Sequence, residues 1–243
     1  MKKNIRIHYH APYFYQQALE SAKSDSGILA VIASVTAVES LIGDIRLTYS
    51  SRQDIVLEME KSNRKSTLFA NKAALPNSVE AIRLTEFEVM ALDVISIKIN
   101  KNGNPDRKPT LNLLYQLAGC KSGEQRDTKE FNKNNQRDLL PSAIVDLFDL
   151  RHSIIHRDGF ARIESDSEEN SKTGNPPSVE RLITNGIIQS NIDIERKRGW
   201  LGLIDNRTVG EWSVSTVGKF IKQTLEGLPS GSASDYLREN AMP

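Results

Sequence analysis

Three residues between positions 150 and 159 have side chains suited to chemistry at a phosphodiester. Arg151 supplies a permanent cation, and His152 and His156 can give or take a proton near neutral pH. These two histidines are half of the four in the chain. Little else in the sequence competes with this combination of a fixed cation and proton-transfer groups.

The spacing of these residues predicts how a helix would arrange them. His152 and His156 are four residues apart and share one helical face. Asp149 lies one turn before His152 on that face, where it could orient a histidine or pair with Arg151 or Arg157. Arg151 lies roughly 140° around the helix from His156. A site that uses both residues needs the arginine side chain to wrap around the helix, or a second copy of the helix across a dimer interface.

The surrounding hydrophobic pattern predicts that this segment is an amphipathic helix. It opens at Pro141-Ser142 and ends before Gly159, a residue type common just after helix ends. Two neighbouring apolar stripes run along it, one of Ala143, Leu147, Leu150 and Ile154 and one of Ile144, Phe148 and Ile155. The C-terminal end of a helix favours positive charge, which suits an acid role for His156.

Most of the remaining hydrophobic pattern is typical of helices. Glu39 falls among apolar residues in a helix predicted over residues 13–49, and further helices are predicted over 78–95, 111–118 and 208–228. The other segments are predicted as an extended lead-in over 1–12, an exposed loop over 121–137, a loop or linker over 165–178, short β-like runs over 179–183 and 187–194, and a frayed tail from Pro229.

Composition sets limits on function. The net charge of +1 over 243 residues gives no argument for or against nucleic acid, so any RNA-binding surface is a local patch. Cys120 is the single cysteine, which excludes an intrachain disulfide and suits a reducing compartment. No apolar segment follows the basic N-terminus, and the apolar run over residues 27–38 is too short to span a bilayer. We therefore expect a cytoplasmic protein without membrane association.

The segment Leu150-Arg151-His152-Ser153-Ile154-Ile155-His156 resembles the Arg-x4–6-His motif of HEPN domains, in which a polar residue, usually Asn, follows the arginine. The apolar run over residues 30–42, with its glutamate at position 39, resembles the other helix of that family, and a Trp-containing helix (Glu211-Trp212) follows the motif. The resemblance covers about residues 13–49, 110–160 and 205–228. It implies an all-α, HEPN-like helical bundle forming one domain over 1–243, with a helical insertion at 50–109, a loop and small β-like arm at 161–200 and a frayed tail at 229–243.

The resemblance also implies an activity. HEPN proteins are usually dimeric, and many are metal-independent ribonucleases in toxin–antitoxin, phage-defence or RNA-processing systems. Arg151 and His156 match the catalytic pair, and His152 takes the polar position in place of Asn. RNA carries its own 2′-OH nucleophile, so cleavage needs only a base, an acid and charge stabilisation at the phosphate. The expected enzyme is a homodimeric, cofactor-free endoribonuclease that leaves 2′,3′-cyclic phosphate and 5′-hydroxyl ends, with Ser153 and Arg157 contacting the RNA.

A non-catalytic interpretation stays open beside this one. A HEPN-like module could bind RNA, a nucleotide or a protein partner such as an antitoxin without transferring a proton. Arg151 and Asp149 would then form an ion pair while the histidines line a dimer interface. We expect Glu39 to pair with Arg151, since an unpaired carboxylate among apolar residues is costly.

A metal site is the third interpretation. His8 with His10, and His152 with His156, each supply half of a zinc-binding set. No cysteine or glutamate completes either pair at a familiar spacing, so we expect no metal at these histidines.

Overall fold

The protein is described here from a computed structural model. The structure describes residues 9–67, 77–96, 98–99, 105–106, 114, 117–118, 139–156, 175–189 and 199–241. Helices dominate these residues, so the predicted all-α fold class is confirmed. In chain order the elements are α1 (Ala11–Lys23), α2 (Gly27–Thr67), α3 (Asn77–Glu80), α4 (Glu86–Ile95), β1 (Lys98–Ile99), β2 (Pro105–Asp106), α5 (Leu139–His156), α6 (Pro177–Thr184), α7 (Trp200–Ile204), α8 (Arg207–Glu226) and α9 (Ser232–Asn240).

The chain divides into two compact units. Unit 1 comprises Met1–Ala11, Glu39–Thr128 and Ile221–Met242, and unit 2 comprises Pro12–Val38, Lys129–Phe220 and Pro243. The grouping of all residues into one HEPN-like domain stays a prediction.

Unit 2 buries the apolar faces of its helices, α5 included. Its buried apolar residues are Ala18, Ala22, Ala30, Val31, Val35, Ala37, Val38, Ile144, Leu147, Leu150, Val179, Leu182, Ile188, Leu203, Ile204, Val209, Val214, Val217 and Phe220. Small side chains from α1, α2 and α8 pack together in one cluster. Gly210 lies so close to Ala22 that an added Cβ would stand 3.0 Å from it. Small residues at this crossing therefore let the helices approach closely.

The helix predicted over residues 13–49 is two helices rather than one. Asp25 has a φ of 58°, in the left-handed region, which ends α1 before Gly27 begins α2. A Cβ on Gly27 would overlap the backbone of Ile204 and Asn206, so glycine permits this close approach. The apolar pattern continues across the break, which is why periodicity alone did not predict it.

The helix predicted over residues 78–95 is also interrupted. α4 begins after the N-cap Thr85, whose Oγ1 accepts a hydrogen bond from the Glu88 N–H at 3.3 Å. Glu88 Oε2 in turn accepts from the Thr85 N–H at 2.9 Å. This capping box starts a new helix within the periodic segment.

The tail expected to fray from Pro229 instead folds into α9. The fully buried Glu88 accepts hydrogen bonds through Oε1 from the N–H and Oγ–H of Ser234, at 2.9 and 2.8 Å. Arg238 donates to the backbone oxygens of Leu225, at 3.0 Å, and Leu228. The prediction of fraying was wrong because one anchor of α9, Glu88, lies 146 residues before Ser234 and gives no local signal.

The β-like run over residues 179–183 lies instead in α6, and Trp200 begins the short α7. Residues 187–189, the described part of the second β-like run, do not form a strand. Strands β1 and β2 are two residues each and pair antiparallel, Lys98 opposite Asp106. The predictions for residues 1–8, 121–137, 165–174 and 190–194, like those for Cys120, lie outside the described residues, and of the helix over 111–118 only Leu114, Leu117 and Ala118 are described.

Within the described residues, α2 is long and apolar enough over Gly27–Ser62 to cross a membrane, judged by length and composition alone. Half of the apolar window is buried inside the protein, and the core helix of a soluble protein passes the same test. The cytoplasmic location therefore stays a prediction.

Candidate active site

Helix α5 forms where its hydrophobic pattern predicts, beginning two residues before Pro141. A proline in the first turn is tolerated because the first N–H groups of a helix have no partner within it. Ile144, Leu147 and Leu150 are buried in unit 2. Burial of this stripe leaves the histidines on the exposed side of the helix.

The predicted histidine pair is formed at the C-terminal end of α5. His152 and His156 are both exposed, and their ring centroids lie 4.4 Å apart with the planes inclined at 42°. The four-residue spacing stacks one imidazole above the other along the helix. Both rings are thus open to a ligand that approaches this face.

Arg151 is the residue before His152 but points to another side of α5. The helical pitch places it roughly 140° around the axis from His156, and it is half-buried. Glu39, its expected partner, is half-buried on α2. Glu39 and Arg151 belong to different units, and their pairing stays a prediction.

Asp149 pairs with a residue that the sequence analysis did not single out. Arg181 on α6 donates through Nη2 to Asp149 Oδ2 at 2.8 Å and through Nε to Asp146 Oδ1 at 2.5 Å. Burial opposes the charge on Arg181, but the hydrogen bonds and charges of Asp146 and Asp149 outweigh it and raise the pKa of Arg181. One guanidinium therefore joins α6 to two successive turns of α5.

The start of α6 explains how Arg181 reaches this position. Pro177 opens the helix, and Val179 and Leu182 are buried on its inner face. Three-residue spacing of apolar residues after a proline is a helix signal, and it could have identified this segment. The β-branched residues in the run favoured a strand instead, so Arg181 was missed.

The remaining predicted residues are placed as follows. Ser153 donates its hydroxyl to the Asp149 backbone oxygen at 3.0 Å, within α5. Arg157 and His8 lie outside the described residues. His10 lies in unit 1, where its backbone N–H donates to Asp44 Oδ2 at 2.9 Å and its Nδ1 lies 3.3 Å from Asp44 Oδ1. Across the described ranges, no three histidine, cysteine, aspartate or glutamate residues form a group that could hold a metal ion.

The arrangement offers two proton-transfer groups side by side on an exposed helix end. A neighbouring ion-pair network occupies the acidic residues of the preceding turns. Searches against protein-family models, curated proteins and solved structures found no match to this chain.

Proposed function

We propose that this protein is a metal-independent endoribonuclease of the HEPN type. The observation that carries the proposal is the exposed pair of His152 and His156, with ring centroids 4.4 Å apart, next to Arg151 at the end of a bundle helix. The resemblance to the HEPN motif indicates RNA as the substrate, and the all-α fold is compatible with that resemblance.

The chemistry follows from what RNA itself provides. The 2′-OH attacks the adjacent phosphorus and the 5′ oxygen leaves, so one proton must be removed and another supplied. Two neighbouring imidazoles can divide these roles, with His156 as the acid at the helix C-terminus and His152 as the base. Arg151 would stabilise the charge that develops on the phosphate oxygens. The products are a 2′,3′-cyclic phosphate and a 5′-hydroxyl, and the chemistry requires no cofactor.

The position of Arg151 favours a site built from two protomers. On a single α5 the arginine and the histidines lie on different sides of the helix, whereas two copies can bring Arg151 of one and His156 of the other to one phosphate. We propose a cytoplasmic homodimer with a role in toxin–antitoxin or phage-defence systems, where a cognate antitoxin or regulatory protein controls it.

The test is cleavage of a mixed RNA pool in EDTA by the wild-type protein and by R151A, H152A and H156A. The wild type is expected to yield 2′,3′-cyclic phosphate ends, and R151A, H152A and H156A are each expected to lose cleavage. H10A and R207A remove a histidine and an arginine outside the site and serve as matched controls. Sedimentation velocity reports whether each variant keeps the wild-type oligomeric state.

Two results contradict the proposal. Cleavage that survives both R151A and H156A would show that another site or a contaminant is responsible. Cleavage that EDTA abolishes would favour a metal hydrolase instead.

A non-catalytic RNA- or protein-binding module is the second candidate. Ile155, which lies between the two histidines in sequence, is 47% exposed, and an exposed apolar side chain at a helix end suits contact with a partner. This function predicts salt-sensitive RNA binding without cleavage of any RNA in the pool.

A further inference from the structure

Two carboxylates lie on the turns of α5 that precede the candidate catalytic residues. Asp149 comes three residues before His152, and the helical rise places it about 10 Å along the axis from His156. Asp146 lies one turn further back and its side chain is only 8% exposed. A ligand bound at the histidine face therefore lies near the exposed Asp149 carboxylate, whereas Asp146 is farther along the axis and nearly buried.

These charges oppose an anionic ligand. A single negative charge about 10 Å from a phosphate weakens binding between about twofold, in bulk water, and about fifteenfold, at the lower effective dielectric near a protein surface. Salt reduces the effect because the Debye length is about 10 Å at 0.1 M ionic strength. Without a cation beside it, the Asp149 carboxylate would thus weaken RNA binding at the histidine face.

Arg181 contacts both carboxylates from α6. Its Nε and Nη2 atoms donate to Asp146 and Asp149 at 2.5 and 2.8 Å. Because its Nε and Nη2 atoms already donate to carboxylates, Arg181 is poorly suited to capture a phosphate as well. The geometry suits Arg181 to offset the charge of the two carboxylates and to hold the Asp149 side chain toward α6.

We propose that Arg181 is a positioning residue for the histidine face of α5. It holds Asp149 and Asp146 and offsets their charge, so that an anionic RNA strand can approach His152 and His156. This inference rests on the proposed function, because it takes RNA as the ligand. It adds a required residue on a second helix, α6, which the HEPN-like motif does not include.

The test measures binding of a fluorescent single-stranded RNA with 2′-O-methyl groups, which cannot be cleaved through the 2′ oxygen. At about 50 mM salt, D149N is expected to bind about threefold more tightly than the wild type and R181Q at least threefold more weakly. R181K keeps the charge and is expected to bind within about twofold of the wild type. All differences should shrink at about 300 mM salt.

A merely structural role for Arg181 predicts a different order of affinities. If the ion pair served only to hold α6 on α5, D149N would weaken binding as R181Q does, and that result would overturn the proposal. R181Q removes the cation that contacts Asp146 and Asp149, so its fold is checked by circular dichroism, and D146N/R181Q provides a version that also lacks the Asp146 charge. R207Q removes the same charge from the exposed pair of Arg207 and Glu211, 2.7 Å apart. A loss in R207Q equal to that in R181Q would assign the effect to net charge and also overturn the proposal.

The same variants separate this inference from the proposed function. If the wild type cleaves ordinary RNA but the variants do not bind RNA in the expected order of affinity, only the role of Arg181 is overturned. If the variants bind RNA in the expected order of affinity but no RNA is cleaved, the ribonuclease proposal is overturned and Arg181 remains part of an RNA-binding face. Absence of RNA binding by the wild type at either salt concentration overturns both.

Discussion

Two carboxylate sites in this protein differ in how their charge is satisfied. Glu88 in unit 1 is fully buried, and its oxygens accept hydrogen bonds from Thr85 and Ser234. Asp149 in unit 2 has a side chain that is 54% exposed, and it meets the guanidinium of Arg181 at 2.8 Å. The first carboxylate joins the starts of two helices, and the second lies on an open helix face.

The two sites differ in how much their contacts contribute to the stability of the fold. A buried polar group that loses its partner costs about 1–3 kcal/mol, whereas an exposed ion pair contributes about 0–1 kcal/mol. The contacts of Glu88 therefore stabilise the fold. The exposed pair of Asp149 with Arg181 contributes little to stability, so variants at this end of α5 can alter ligand binding without unfolding the protein.

The largest effect that the proposed function predicts is a loss of RNA cleavage at the histidine face. H156A should lower the cleavage rate by a factor of about 10²–10⁴, because it removes a proton-transfer group. Its free energy of unfolding should change by no more than about 0.5 kcal/mol, because His156 is exposed. Initial rates and urea unfolding measure the two quantities, and a large loss of stability would show that His156 belongs to the fold instead.

The second effect concerns the buried carboxylate. E88A should lower the free energy of unfolding by about 3 kcal/mol, because the Ser234 and Thr85 donors lose their acceptor and a cavity is left. E86A removes an exposed carboxylate from the first turn of the same helix and is the matched control, with an expected loss of about 0.5 kcal/mol. Equal losses in urea unfolding would contradict the assigned role of Glu88.

A smaller effect is expected at Tyr49, which extends the buried network. Its hydroxyl lies 2.8 Å from Ser234 Oγ, which donates to Glu88, so Tyr49 is the donor to Ser234. Y49F should lower stability at neutral pH by about 1 kcal/mol. Unfolding by urea, followed by circular dichroism, measures the loss.

Tyr49 also gives the network a pH dependence. Burial, aided by the negative charge of Glu88, raises the pKa of Tyr49 to about 12. The unfolded tyrosine ionises near pH 10, so the stabilisation is present below pH 10 and is lost as the pH rises through 12. The advantage of the wild type over Y49F should therefore shrink across that interval, and a constant difference would contradict the assignment.

The smallest effect is expected at an exposed ion pair. Lys222 and Glu226 are 63% and 54% exposed, with their charged atoms 3.9 Å apart. K222M should change the free energy of unfolding by less than about 0.5 kcal/mol. A loss as large as that of E88A would contradict the inference that buried polar contacts contribute more to stability than exposed ones.

The sequence predicted much of α5 and little of its surroundings. The apolar stripe through Leu147 and Leu150 indicated both the helix and its buried side, and the four-residue spacing placed the histidines together. The partner of Asp149 was not predicted, because Arg181 is 32 residues further on and its helix was interpreted as a strand. The start of α9 depends on Glu88, 146 residues before Ser234, and was not predicted for the same reason.

Local periodicity by itself determined the all-α class, the course of α5 and the side-by-side histidines, since these depend on residues within a few turns of one another. Tertiary structure alone decided the break at Asp25, the ordered tail and the pairing of Arg181 with the α5 carboxylates. Each of these depends on a contact between distant segments, such as Gly27 with the backbone of Ile204. Hydrogen bonds and close approaches of this kind leave no periodic signal in the sequence.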